Sequence, residues 1–157
     1  MLLDRFDHLI LQALQKDARV THQKLAQTIP LSSSQIGRRI QQLEEIGVIH
    51  AYRAELRPES MGLGVLAFID VCLERHGEKA IRDFLIGIEA IPEILEAHAI
   101  TGDADYALRV VAADLTSLSR FVMHKLLAMD CVRSVRSSIA LEQVKQFSGL
   151  PSPHHFS

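Results

Sequence analysis

The sequence predicts an α+β chain built in two parts, and its apolar pattern says so in two ways. Up to about residue 60, apolar residues recur at three- and four-residue spacing, the period of helices packed on one face. Beyond it, apolar runs of strand length alternate with helical stretches in the order β-α-β-β-α-β. A polar stretch around Pro58 divides the two patterns, since proline cannot continue a central strand. The expected division is a domain over 1–56, a linker over 57–62, a second domain over 63–146 and a flexible tail over 147–157.

Asp4 stands before the first helix as an N-cap candidate, and Asp7 places negative charge in its first turn. Phe6, Leu9, Ile10, Ala13 and Leu14 make its apolar face. A second short helix is expected over 21–28, burying Leu25, Ala26 and Ile29, with Pro30 ending it. The third has the clearest start. Ser32 is its N-cap and Gln35 lies at capping-box spacing, while Ile36, Ile40 and Leu43 mark the buried face. Gly47 stops it. Residues 48–56, with Tyr52, are expected to form a short β-hairpin or wing.

In the second part, residues 64–74 are apolar at almost every position and predict a strand covered on both faces. Residues 77–88 predict a helix burying Ala80, Ile81, Phe84, Leu85 and Ile88. Pro92 separates it from a strand over 93–101, and Gly102-Asp103 turns the chain into a strand over 105–113. A helix over 116–128 faces Leu118, Phe121, Val122 and Leu126 inward, and a last strand spans 132–144. This order is the ferredoxin-like arrangement, with both helices on one face of an antiparallel four-stranded sheet. The other face is then bare, yet Leu66, Phe68 and Cys72 on it are apolar. A patch of that kind marks an association surface, so a homodimer of packed sheets is expected.

Composition excludes several classes. With 48% hydrophobic residues and a net charge of −2, the chain is not a disordered one. Cys72 and Cys131 make neither a disulfide framework nor a CxxC metal pair. Acidic residues at 4 and 7 interrupt any secretory apolar segment, and the apolar stretch 61–73 is too short to span a bilayer. A soluble, cytoplasmic protein is expected, without membrane, metal or cofactor. The near-balanced charge argues on its face against a nucleic-acid binder. It is divided unevenly, however. Residues 1–60 hold 8 Lys and Arg against 7 Asp and Glu, and the rest hold 9 against 12.

Three short helices followed by a hairpin describe a winged helix-turn-helix, whose third helix enters the major groove of double-stranded DNA. Its solvent face here offers Ser32, Ser33, Ser34, Gln35, Arg38, Arg39 and Gln42. Arg can grip guanine and Gln adenine in two-pronged fashion, and Ser hydroxyls suit phosphates. The plainer alternative is a solvated amphipathic face, since Glu44 and Glu45 interrupt any basic stripe.

Both halves, in this order, resemble the Lrp/AsnC (leucine-responsive, feast/famine) family of transcription regulators over about residues 2–146. The resemblance runs through Leu3-Asp4, Asp7, Ile10-Leu11, Leu14, Asp17-Ala18-Arg19 and Leu25-Ala26. It continues through the stretch 31–40, Leu43-Glu44, Gly47-Val48-Ile49 and Tyr52. Further on, 101–106 looks like the family's glycine-aspartate turn and 141–145 like its closing strand. Pro30, where glycine is common, and Ala104, where an aromatic is common, depart from the pattern.

The resemblance implies DNA binding by dimers, tetramers or octamers, and a ligand-binding second domain of RAM type with an amino acid as effector. Carried over by position, Thr101, Gly102, Asp103 and Asp105 are effector candidates, joined by Ser137 and Ser138 of the last strand. A Gly-Asp turn can supply amides for a carboxylate and an acceptor for an ammonium. Alternatively Gly102 serves the turn alone and the aspartates solvate it. Two other functions stay open: a haem-pathway decarboxylase-like enzyme of this architecture, and a metabolite-binding oligomer without DNA binding. The enzyme would need a basic pocket, but His76, His98 and His124 are scattered, and no catalytic motif appears.

Overall fold

The computed structural model describes residues 3–74 and 77–151. The chain divides into two compact units. One runs through Ala54 and takes in the chain from Val144 onward; the other is Glu55–Gln143.

The first unit holds α1 (Arg5–Lys16), α2 (His22–Leu25) and α3 (Ser33–Glu45). α1 opens on a reciprocal cap. Asp4 Oδ1 accepts from the amides of Phe6 and Asp7 at 2.8 and 2.9 Å, and Asp7 Oδ2 accepts from the Asp4 amide at 3.0 Å. Amides that a helix start leaves without partners are thereby satisfied. α3 opens the same way, with Ser32 Oγ accepting from the Gln35 amide at 3.2 Å and Gln35 Oε1 from the Ser32 amide at 2.9 Å. α2 is one turn long and continues as hydrogen-bonded turns to Ile29 rather than as helix to residue 28. Thr28 Oγ1 competes for the Leu25 carbonyl, and Pro30 disfavours helix at the residue before it. Ile10, Leu25, Ile29, Ile36, Ile40 and Leu43 form the core between the three helices.

The expected hairpin after α3 is absent. Residues 50–57 carry no strand. The segment has no Asn-Gly or Gly-Gly type of turn pair, and an isolated two-stranded ribbon is marginal in water.

The second unit begins with a 3-10 turn at Pro58–Met61, inside the expected linker. Then follow β1 (Val65–Leu73), α4 (Glu78–Glu89), β2 (Ile94–Ala99), β3 (Tyr106–Ala112), α5 (Leu115–Phe121) and β4 (Val132–Ile139). α5 runs on through a π turn, Val122–Leu126, closed by the Leu127 amide on the Val122 carbonyl at 2.9 Å. The sheet order is β2-β3-β1-β4, with β1 antiparallel to both β3 and β4. This is the βαββαβ topology that the sequence predicts.

Alternation along β1 sends Ala67, Ile69, Val71 and Leu73 to the helix-covered face, where they pack with Phe84, Ile88, Leu118, Phe121 and Leu126. Three expectations are corrected here. α4 buries only Ala80, Phe84 and Ile88; Ile81 and Leu85 stay 45% and 44% exposed. They lie about 100° round the helix from the buried stripe, and one sheet face covers only that stripe. β4 ends at Ile139, not 144: the Ala140 amide reaches the Leu66 carbonyl at 2.9 Å, and β1 offers no rung beyond its own start. Leu141 is accordingly 98% exposed. The uncovered sheet face is not a continuous apolar patch. Phe68, 51% exposed, shares it with the ion pairs Arg109–Glu96 and Arg136–Asp70, both at 2.8 Å.

Gln15 Nε2 of α1 donates to the Leu150 carbonyl at 3.2 Å, and the Leu150 amide donates back to Gln15 Oε1. Leu150, inside the expected tail, thus makes its contacts with α1 in the first unit. His154 and His155 lie outside the described residues.

Phe84 is fully buried, with its ring 4.8 Å from that of Tyr106. Phe84→Ala is expected to destabilise the second unit by about 3–5 kcal/mol. Urea unfolding followed by a probe in that unit measures it.

Candidate functional site

The solvent face of α3 divides its candidate residues into two groups. Ser32 and Gln35 are engaged in the helix cap, and Ser34 Oγ lies 3.0 Å from Ser32 Oγ. Ser34, Arg38 and Gln42 stand at i, i+4 and i+8 on one exposed stripe, and Ser33 is exposed beside it. Arg38 makes no ion pair among the described residues.

Arg39, the next residue, points elsewhere. Its Nη1 lies 2.7 Å from Asp7 Oδ1 and 2.8 Å from Asp4 Oδ2, and its guanidinium carbon sits 5.6 Å from the centre of the Phe6 ring. The hydrogen bond to Asp7 leads in holding the Arg39 pKa above its ordinary value. The Asp7 amide, with Arg39 adding to it, holds Asp4 below the usual carboxylate range. Neither pairing is legible from sequence, because the partners are 32 residues apart for Asp7 and the helical period does not reveal which α3 residue faces α1. Past the end of α3, Tyr52 donates to Glu44 Oε1 at 2.8 Å. Burial first, then this hydrogen bond, push its phenol up to about 12.

The second candidate site is the loop between β2 and β3. Gly102 has φ of 123°, a backbone conformation that other residues rarely adopt. Thr101 and Asp103 are exposed, and the Asp103 carboxylate accepts no hydrogen bond among the described residues. Asp105 is engaged in the fold. Its Oδ2 accepts from the Leu73 amide at 2.8 Å, and its own amide donates to the Val71 carbonyl at 3.0 Å. The loop is thus fixed to the end of β1. Cys72 Sγ adds a weak contact to the Asp103 carbonyl at 3.4 Å.

Ser137 and Ser138 do not join this loop within the protomer. Ser137 pairs with Ile69 and points to the helix-covered face, while Ser138 pairs with Phe68 and points to the other. Phe68 is three residues, about 10 Å, along the strand from Val71. Across the open face Arg136 is bound to Asp70 at 2.8 Å. Asp70 first, then Asp103 among the nearby charges, raise its pKa. Sequence reading missed it; the lone charge of Asp70 in an apolar strand was the available signal.

Family models match both halves. The AsnC-type helix-turn-helix domain covers residues 3–44, and the Lrp/AsnC ligand binding domain covers 66–150. The chain belongs to the Lrp/AsnC family of transcriptional regulators. It resembles the leucine-responsive regulatory protein of Rhizobium meliloti (strain 1021) with 36% identity over 91% of this chain and 92% of that one. The Escherichia coli (strain K12) protein of the same name is 32% identical over 94% and 90%. A Neisseria meningitidis transcriptional regulator solved as an L-Met complex superposes with a TM-score of 0.94 and 38% identity over 98% of this chain and 99% of that one. An AsnC family regulator from Agrobacterium tumefaciens gives a TM-score of 0.89 at 34% identity over 95% and 97%.

This Lrp/AsnC protein is therefore a DNA-binding regulator with a ligand-binding second domain, not an enzyme, which sets aside the decarboxylase-like alternative. Its His98 and His124 stand on different elements, and His76 lies outside the described residues. Among the described residues no helix is long and apolar enough to cross a membrane.

Asp105→Ala removes the acceptor of a β1 amide. It is expected to cost this regulator about 1–3 kcal/mol without any ligand present, measured by denaturant titration. Asp4 bears on pH in the opposite domain. Its depressed pKa contributes stability above the unfolded carboxylate value near 4, and that stability fades as pH falls through the lower folded value. Asp4→Asn should flatten the acid limb of the first unit's melting profile.

Proposed function

We propose that this regulator reads double-stranded DNA with α3, through Arg38 and Gln42 at base edges and Ser33 and Ser34 at phosphates. Ser32 and Gln35 shape the helix start that faces the DNA. The observation that carries this is the exposed Arg38, without an ion pair among the described residues, on one stripe with Ser34 and Gln42. Protomers act as homodimers that pack the open sheet faces around Phe68, and dimers assemble further into tetramers or octamers. Two α3 helices then reach successive major grooves about 34–36 Å apart. The first 60 residues hold one more basic than acidic residue, so a single domain attracts DNA weakly. Affinity comes from several copies on one duplex.

The effector is an amino acid held at the loop of Thr101, Gly102, Asp103 and Asp105, with Ser137 and Ser138 belonging to the same site only across an assembly. The L-methionine in the Neisseria complex supports this class of ligand. The effector changes assembly or DNA affinity to the extent that it binds the competing states unequally. The protein works beside its DNA, in the cytoplasm.

A gel-shift titration on a duplex selected by the wild-type protein from a random-sequence pool tests the DNA contact. Arg38→Ala is expected to cost about 1–3 kcal/mol of binding. Unchanged affinity would sink the assignment of this helix. A thermal-shift screen of the amino acids tests the ligand: L-methionine at about 100 times its Kd should stabilise the protein by about 2.7 kcal/mol. Any hit that leaves both sedimentation and DNA affinity unaltered would overturn the proposed control.

A further inference from the structure

The α1 cap has a second occupation. Each of its two carboxylates divides its oxygens. Asp4 Oδ1 and Asp7 Oδ2 accept backbone amides of the cap, while Asp4 Oδ2 and Asp7 Oδ1 both face Arg39 Nη1. The cap of one helix is therefore also the receptor for a side chain of another. Asp7 is buried, and the Phe6 ring lies 5.6 Å from the guanidinium carbon. Arg39 sits one position from Arg38, so whatever fixes Arg39 also fixes the rotation of α3 about its own axis. A turn of the helix is about 100° per residue, and a modest rotation would carry Arg38 off a base edge.

We propose that Arg39 is the positioning residue of the DNA-reading helix rather than a DNA contact, acting through the shared carboxylates of Asp4 and Asp7. The proposal rests on α3 being the DNA-facing helix. It separates from an electrostatic role by sign. If Arg39 touched DNA, removing a neighbouring negative charge would leave binding equal or tighter, since the chain becomes less repulsive to phosphate. If Arg39 positions α3, the same change loosens the clamp and weakens binding.

Asp4→Asn and Asp7→Asn are suited to the test because an amide oxygen can still cap α1. Full-length variants are compared with wild type on the pool-selected duplex at several salt concentrations, with melting curves recorded at the same time. The expected result is folded protein and DNA affinity lower by about tenfold in each, the scale of a lost charge-assisted hydrogen bond. Arg39→Gln should weaken binding with the salt dependence of wild type, and Arg39→Lys should recover part of the loss. Arg38→Gln should weaken binding about tenfold and relax the preference at the base pair it reads. Binding by both aspartate variants as tight as wild type, or tighter, overturns the proposal. So does a salt slope lowered by about one in Arg39→Gln. If Arg38 variants bind like wild type, the DNA-facing reading of α3 fails instead, and the clamp proposal falls with it.

Discussion

Strand β1 is hydrogen-bonded along both edges, and much of the second unit is arranged around that. Its pairing with β3 and β4 sets the register of both neighbours. Where β1 begins, β4 makes its last backbone contact, the Ala140 amide on the Leu66 carbonyl. Where the β3 ladder ends, at Val71 opposite Tyr106, the Leu73 amide takes the Asp105 carboxylate instead. A backbone donor at the end of a strand thus fixes the base of the loop that carries Gly102 and Asp103. Removing such a partner from a half-buried amide costs more than the hydrogen bond itself contributes.

That constraint also says how much of the molecule could be read from its residues. The helix starts were legible because capping chemistry is local: Asp4 with Asp7 and Ser32 with Gln35 each lie within one turn. The topology was legible because the apolar period changes from helical to strand-like near residue 60. What was not legible depends on partners distant in sequence. Leu141 and Val144 have strand-forming side chains, but no neighbour is available to them. Ile81 and Leu85 have core-forming side chains, but a single sheet face covers only one stripe of α4. The segment 48–56 is rich in β-favouring residues, yet it lacks turn chemistry.

The candidate sites divide along the same line. Arg38 and Arg39 are the same residue type at adjacent positions, and only tertiary contacts give them different surroundings. Asp103 and Asp105 are likewise close in sequence and differently employed, one exposed and one bound to a backbone amide. Ser137 and Ser138 point to opposite faces simply because a strand alternates. Residue types alone do not separate the members of each pair. The pleat of the strand and the tertiary contacts of the helix decide how each member is employed.

The hydrogen bonds between Gln15 and Leu150 join residues 135 positions apart inside one compact unit. During synthesis the three helices of that unit leave the ribosome first, but the piece that binds Gln15 is made after the whole sheet. The first unit is therefore interrupted in the order of its making. Its helices can assemble early, yet its last contact waits on nearly the full length of the chain, so a prematurely ended chain would hold the DNA-reading helices without this closing strap.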